Sequence, residues 1–205
     1  MLRLRTADLC QECKKVMVEK GLKSDLARQI FALMDSVRER VLFRSRLEIL
    51  QGISPLNVKT KNKKELVFTG YGVDPVDLAP LKMTVYLLFL RHPEGISLRY
   101  KEKYRDDLRR IYGMFSDEDE EVRIKRVEEL INREKPKISW NITKINEALI
   151  HELGKKTAEK YIIQREKGRT MGGALKYTHF IRIDRKLVTI NGEPFETGIR
   201  KYFPR

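Results

Sequence analysis

Two cysteines are the residues best suited to bind a metal or to carry redox chemistry. Cys10 and Cys13 form a C-x-x-C pair. A structural zinc site needs two further ligands at a similar local spacing, but His92, His151 and His179 are scattered along the chain. A redox pair usually opens a helix after a strand, and the residues before Cys10 do not predict a strand. We therefore expect no metal site and no cofactor.

Catalytic motifs are the next candidates, and the sequence predicts none. No histidine stands at a recognisable spacing from a serine or cysteine nucleophile. Gly168, Gly172 and Gly173 lie between two predicted strands and lack the lysine-hydroxyl pair of a phosphate-binding P-loop. The carboxylates within residues 116–134 point around the circumference of one predicted helix, so they cannot converge on one ion. We expect a non-enzymatic protein without catalytic residues.

The basic residues indicate a different kind of function. The chain has 205 residues and a formal net charge of +14. Residues 135–205 contain 16 basic and 7 acidic residues, whereas residues 116–134 contain 4 basic and 8 acidic ones. Lysine and arginine bind polyanions by neutralising phosphates and releasing their counterions. The distribution predicts that DNA contacts the C-terminal third and avoids the acidic helix that precedes it.

The segment at the start of this basic region predicts an amphipathic helix. Its apolar residues recur at the spacing of one buried helix face, in the order Ile138, Ile142, Ile145, Leu149 and Leu153. Asn141, Thr143 and Lys144 belong to its polar positions. Trp140, the only tryptophan of the chain, is expected to pack over the start of the helix.

The elements that position these residues divide into two regions, with a boundary near residue 56. Residues 1–55 predict an N-terminal helical region, because Gly21 separates two helical patterns and Ser24 is a suitable N-cap for the second. The second helix carries an apolar stripe at helical spacing, as in a core or a helix-pairing face. We expect this region to supply homodimer contacts or to dock a partner.

Residues 56–205 predict a second region of helices and strands. A strand and four helices are expected at residues 66–69, 81–92, 100–114, 116–135 and 138–153, and Ser116 is the expected N-cap of the acidic helix. Two strands joined by a glycine-rich basic connector follow, at residues 160–165 and 177–183. Asn191-Gly192 then predicts a tight hairpin turn.

Three segments resemble the winged-helix DNA-binding domain of two-component response regulators. APLKMTVYLLFLRHPEGISL is similar to its first helix, WNITKINEALIHEL to its recognition helix, and AEKYIIQREKGR to the strand that leads into its wing. The resemblance covers about residues 64–185. It implies an α+β fold, in which N-terminal helices are followed by a winged-helix-like domain with a C-terminal β-hairpin.

In a winged-helix domain one helix lies in the major groove and the hairpin contacts the DNA backbone. The resemblance therefore implies that Asn141, Thr143 and Lys144 approach the major groove. It also implies a set of cations that contact phosphates, namely Lys155, Lys156, Arg165, Lys167, Arg169 and Lys176.

The function expected from these observations is double-stranded DNA binding by a cytoplasmic, bacterial regulator of transcription. No apolar run approaches the ~20 residues of a membrane-spanning helix, and the N-terminal residues do not resemble a secretory signal, so we expect no membrane partner. The alternative is a winged-helix module for protein–protein interaction or assembly, because fold does not fix function. This alternative is favoured by the stretch from Thr143 to Ala148, in which Lys144 is the only cation.

Overall fold

The computed structural model of the protein describes residues 52–203, with the exception of 62, 133, 135, 136, 170–172 and 174. The predicted N-terminal helices, the homodimer contacts expected from them and the Cys10–Cys13 pair lie outside the described residues. Within these residues the fold is mixed α+β, with six α-helices and two β-sheets. No helix in the described ranges is long and apolar enough to cross a bilayer.

The larger sheet joins strands from both ends of the described chain. Its five strands are β1 (Leu56–Lys59), β2 (Glu65–Phe68), β3 (Val76–Asp77), β6 (Val188–Ile190) and β7 (Glu193–Pro194), in the spatial order β3-β2-β1-β6-β7. β1 pairs antiparallel with β2 and parallel with β6. The predicted Asn191-Gly192 turn between β6 and β7 is confirmed, with φ angles of +51° and +84°, as a tight hairpin turn requires.

Two of the helices pack against a third that is strongly apolar. The helices are α1 (Pro80–Arg91), α2 (Arg105–Phe115), α3 (Glu120–Ile131), α4 (Lys137–Leu153), α5 (Lys155–Ala158) and α6 (Phe195–Arg200). Residues 83–90 of α1 are all buried, as expected for a helix that is apolar on every side. α1 contacts both α2 and α4. α4 turns its predicted apolar stripe inward, so the helical pattern of the sequence is confirmed there.

The predicted N-cap at Ser116 is wrong. α3 begins at Glu120, and Asp119 is the residue that precedes it as N-cap. Ser116 instead ends α2 as its C-cap residue, and its hydroxyl accepts a hydrogen bond from the backbone N–H of Glu118 at 3.2 Å. Acidic residues still occupy the first turn of α3, where they complement the helix dipole.

His92 ends α1 as its C-cap residue. Its Nδ1 lies 2.8 Å from Glu94 Oε1 and its Nε2 lies 3.0 Å from Asp107 Oδ2. Arg91 Nε lies 3.2 Å from the same oxygen of Asp107. Burial disfavours the charged imidazole, but the hydrogen bonds to Asp107 and Glu94 outweigh this effect and raise the pKa of His92 above its ordinary value.

This histidine predicts a pH-dependent stability. The stability contributed by protonated His92 is fully present below the unfolded-state pKa of about 6.5 and is lost as pH rises through the raised folded-state pKa. We expect His92→Gln to lower the free energy of unfolding by about 1–2 kcal/mol at mildly acidic pH, and by less at alkaline pH. Urea denaturation at the two pH values measures both losses, and equal losses would contradict the prediction.

The second sheet is a hairpin of β4 (Gln164–Arg169) and β5 (Leu175–Phe180). Ile96, on the connection between α1 and α2, pairs with His179 of β5. The N–H of each residue donates to the carbonyl of the other at 2.8 Å. The hairpin is thereby attached to the helices by backbone hydrogen bonds along β5.

The strand predicted at residues 160–165 begins later than expected, at Gln164. Tyr161 and Ile163 are buried in the core, so this part of the chain serves as an anchor at the base of the hairpin. The Tyr161 hydroxyl donates to the carbonyl of Ser54 at 2.8 Å and accepts from the N–H of Ser54 at 2.6 Å. The hydroxyl of Tyr86, in α1, donates to the Tyr161 carbonyl at 3.0 Å. These bonds fix the segment before β4 to the residues just before β1 and to α1.

Candidate nucleic-acid interface

The register of the hairpin gathers cations on one of its two faces. The directly opposed pairs of interest are Arg165–His179, Lys167–Tyr177 and Arg169–Leu175. Directly opposite residues of an antiparallel pair point to the same side, and successive residues alternate between sides. These six residues therefore share one side of the hairpin, which we call the hairpin face.

Acidic residues are absent from the hairpin face. Glu166, the only acidic residue of β4 and β5, lies opposite Thr178 on the other side. Among the described residues, no carboxylate forms an ion pair with Arg165, Lys167 or Arg169. All three side chains are exposed. Their charges are therefore available to an anionic partner.

Lys176 lies opposite Gly168, so strand alternation places its side chain on the side away from the three hairpin cations. The structure thus brings together three of the four predicted hairpin cations and separates the fourth.

Lys155 and Lys156 lie in α5, and both are exposed. No ion pair with a carboxylate of the described residues neutralises either lysine.

An aromatic ring lies among the hairpin cations. The Arg165 guanidinium stacks over the Tyr177 ring, with 4.4 Å between the guanidinium carbon and the ring centroid. Tyr177 is 38% exposed and Leu175 is 51% exposed. Exposed cations next to exposed rings are typical of surfaces that bind nucleic acids, where bases stack and phosphates pair with positive charge.

A groove lies beside the hairpin face, and we call it the hairpin groove. Its volume is about 300 Å³. One wall is formed by hairpin residues, a second by residues 97–100 before α2, and Ser139 of α4 also lines the groove. The hairpin residues are Arg165, Leu175, Lys176, Tyr177 and His179. Tyr100 is 49% exposed, and Lys103 Nζ lies 5.2 Å from the centroid of its ring. Arg99 lines the same wall as Tyr100, so each of the two walls carries an exposed tyrosine and an arginine.

His179 forms the inner end of the hairpin face and is half-buried. Burial and the nearby charge of Arg165 lower the pKa of its imidazole below the ordinary value. The ring is therefore neutral at pH 7, and the positive charge of the groove comes from its arginines and lysines. Its Nδ1 atom is enclosed and has no hydrogen-bond partner among the described residues.

The outer face of α4 differs from the sequence-based prediction. Asn141 is only 2% exposed, and its Nδ2 donates to the Lys137 carbonyl at 2.8 Å. The predicted contact of Asn141 with DNA is therefore corrected, because its amide is turned into the protein. Thr143 is exposed and its hydroxyl donates to the Ser139 carbonyl at 3.2 Å.

Lys144 is the remaining predicted contact on α4. Its Nζ lies 2.7 Å from Glu147 Oε2, so a carboxylate of the same helix neutralises its charge. Asn146 uses its amide to bind the backbone of Ile163: its Oδ1 accepts from the N–H and its Nδ2 donates to the carbonyl, each at 2.9 Å. Asn146 therefore joins α4 to the hairpin base, whereas Lys144 interacts within its own helix.

Trp140 does not seal the core as predicted. It is 58% exposed, because Ile138 and Ile142 occupy the inward positions on either side of it along the helix. Ile150 is also 36% exposed. The outer face of α4 therefore presents large apolar groups to solvent.

The chain was compared with protein families, with curated proteins and with solved structures. No family model, no curated protein and no solved structure matches the chain. In the described part of the chain, no group of three or more histidine, cysteine, aspartate or glutamate residues could hold a metal ion.

Sequence reasoning missed Arg99, Tyr100, Leu175 and Tyr177 as members of the interface. Arg99 and Tyr100 are far from the hairpin in sequence, so no local pattern links them to it. Tyr177 could have been found from the sequence. Cations occupy every second position of β4, and Leu175 and Tyr177 occupy every second position of β5, which suggests that the two sets share one face. The pairing register was needed to show that the two sets lie on the same side.

Proposed function

We propose that the protein binds double-stranded DNA through the hairpin face, as a non-enzymatic, cytoplasmic regulator of transcription with a winged-helix domain. The observation that carries this proposal is the alignment of Arg165, Lys167 and Arg169 on one side of the hairpin, with Glu166 on the other side. Phosphate neutralisation by such a row of cations is the main source of affinity for a duplex.

The order of the elements supports a winged-helix interpretation of the domain. α1 is followed by the bridge at Ile96, then by α2, α3 and α4, and finally by the β4–β5 hairpin, which pairs with Ile96. A helix followed by a basic hairpin is the arrangement in which the hairpin serves as the wing. Both α2 and α3 lie between α1 and α4.

The contacts that we propose are weighted towards the hairpin. Asn141 is removed from the proposed set because it is buried, and Lys144 contributes less because Glu147 neutralises it. Lys155 and Lys156 remain as phosphate contacts next to the hairpin, and Lys176 remains at its opposite side. Since phosphate contacts carry little sequence information, we expect a weak preference for particular base pairs.

A salt titration of duplex binding tests the proposal. We expect binding at low ionic strength, with the logarithm of the affinity falling linearly against the logarithm of the salt concentration. Three phosphate contacts predict a slope of about −2.7, and the α5 lysines make it steeper. Fluorescence anisotropy of a labelled duplex measures the slope. Failure to bind at low salt would refute the proposed function.

A second candidate function is protein binding through α4, supported by the exposure of Trp140 and Ile150. Because Trp140 is the only tryptophan of the chain, its fluorescence reports on this face directly. If α4 lies in the major groove, saturating duplex DNA should quench or shift the emission of Trp140. If α4 is reserved for a protein partner, the emission should stay unchanged while anisotropy shows that the DNA is bound.

A further inference from the structure

We propose that the hairpin groove receives an unpaired nucleobase, so that the protein prefers a duplex that carries a single-stranded extension to a blunt duplex. This inference rests on the proposed DNA binding and adds the class of DNA structure that is recognised. It is carried by the aromatic rings, the charges and the size of the groove.

The rings supply stacking surfaces. Tyr177 of the hairpin and Tyr100 of the segment before α2 line the same cavity, and both are substantially exposed. Arg165 and Tyr177 already form a stacked pair with 4.4 Å between guanidinium carbon and ring centroid, and a planar base can extend that stack. Aromatic rings and guanidinium planes bind bases of any sequence, because every base has a π face.

The charges of the groove suit the backbone on either side of the bound base. Arg99 and Arg165 stand on the two walls, and neither forms an ion pair with a carboxylate of the described residues. Arg99 lies 6.0 Å from the centroid of the Tyr100 ring, so each wall pairs a guanidinium with a tyrosine. The phosphates that flank a single base can therefore reach a cation on each side.

The groove has room for a single nucleotide. Its volume of about 300 Å³ is at the lower limit of small-molecule pockets. A base inside a duplex is covered on both faces by its neighbours and must be unstacked before it can enter a protein pocket. An unpaired base avoids this cost. The groove therefore discriminates between single-stranded and duplex DNA, whereas the hairpin cations do not.

The test compares a blunt duplex with the same duplex carrying a short thymine extension that contains one 2-aminopurine. Anisotropy measures affinity, and 2-aminopurine fluorescence reports stacking of the unpaired base. We expect the wild-type protein to bind the extended duplex about ten-fold more tightly. Tyr177→Leu should reduce the ratio of the two affinities to about one, and the ratio is compared within each variant because Tyr177 belongs to the hairpin face. Tyr177→Phe keeps the ring and should keep the preference.

The possible outcomes separate the two proposals. Equal affinities of the wild-type protein for the two duplexes would overturn the groove inference and leave the proposed duplex binding intact. The groove inference would also be overturned if both Tyr177→Leu and Tyr100→Leu still preferred the extended duplex to the blunt one. A third outcome is that the protein binds the extended duplex, does not bind the blunt duplex, and gives a 2-aminopurine signal that depends on Tyr177. This outcome would support base binding in the groove and refute the proposed duplex binding. If circular dichroism shows that Tyr177→Leu is unfolded, Tyr100→Leu decides the result.

Discussion

Replacing Arg165, Lys167 and Arg169 together by alanine is expected to weaken duplex binding about 100-fold at physiological salt, given the cost of losing three charge-assisted phosphate contacts. The salt dependence should become shallower by about 2.7 in slope, because each lost phosphate contact removes about 0.9. All three side chains are exposed on one side of the hairpin, so the fold should be unaffected. Anisotropy at several salt concentrations measures affinity and slope in one experiment.

A matched control removes the same charge elsewhere. Lys125, Lys186 and Arg200 are exposed residues on α3, on the 3₁₀ turn before β6 and on α6. Their joint replacement by alanine lowers the net charge equally and should change the affinity by only a few-fold through the long-range field. Equal losses in the two triple variants would show that net charge, and not the hairpin face, determines binding.

Gly95→Ala is expected to lower the free energy of unfolding by about 2–4 kcal/mol, from backbone strain and overpacking together. Gly95 has a φ of +85°, and a β-carbon at this position would lie 2.4 Å from Thr178 Cγ2 and 3.2 Å from the His179 carbonyl oxygen. Only glycine adopts this φ without a steric penalty. The clash would push β5 away from Ile96, so DNA binding should weaken as well. Urea denaturation measures the loss of stability.

Two companion variants separate strain from clash. Gly72→Ala places a β-carbon at a φ of +62° with no atom within 4 Å, so it should cost only the backbone penalty of about 1–2 kcal/mol. Thr178→Ser removes the Cγ2 methyl group, so it should rescue part of the loss in Gly95→Ala. If Gly95→Ala were no more damaging than Gly72→Ala, close packing between this turn and β5 would not be important for stability.

The buried half of the fold was the part that the sequence predicted best. α1 is apolar on all sides, and the inward stripe of α4 repeats at helical spacing, so hydrophobic pattern alone placed both helices. Asn141 shows where the pattern misleads. It lies three residues after Ile138 and four before Ile145, within the inward stripe itself, but its polarity suggested an outward position. Its amide is satisfied by the helix's own Lys137 carbonyl, which a hydropathy pattern does not reveal.

The binding surface was only partly predictable because it depends on long-range pairing. The cations of β4 were identified from composition, but their common direction follows from the register with β5. The strand boundary was misplaced because Tyr161 and Ile163 have strand-like side chains and yet pack into the core. Arg99 and Tyr100 join the groove because the segment that follows the Ile96 bridge lies next to β5, and a bridge of a single pair of residues has no sequence signature.

The central pairing of the larger sheet has a consequence for synthesis and folding. Asn57 of β1 accepts a hydrogen bond from Thr189 of β6 across a separation of 132 residues. Contacts between such distant residues slow folding, because the loop between them must be closed first. During translation, one side of β1 therefore stays unpaired until β6 has left the ribosome. That open edge can pair with other chains in the meantime, so slower elongation would lengthen the period in which the nascent protein is prone to aggregate.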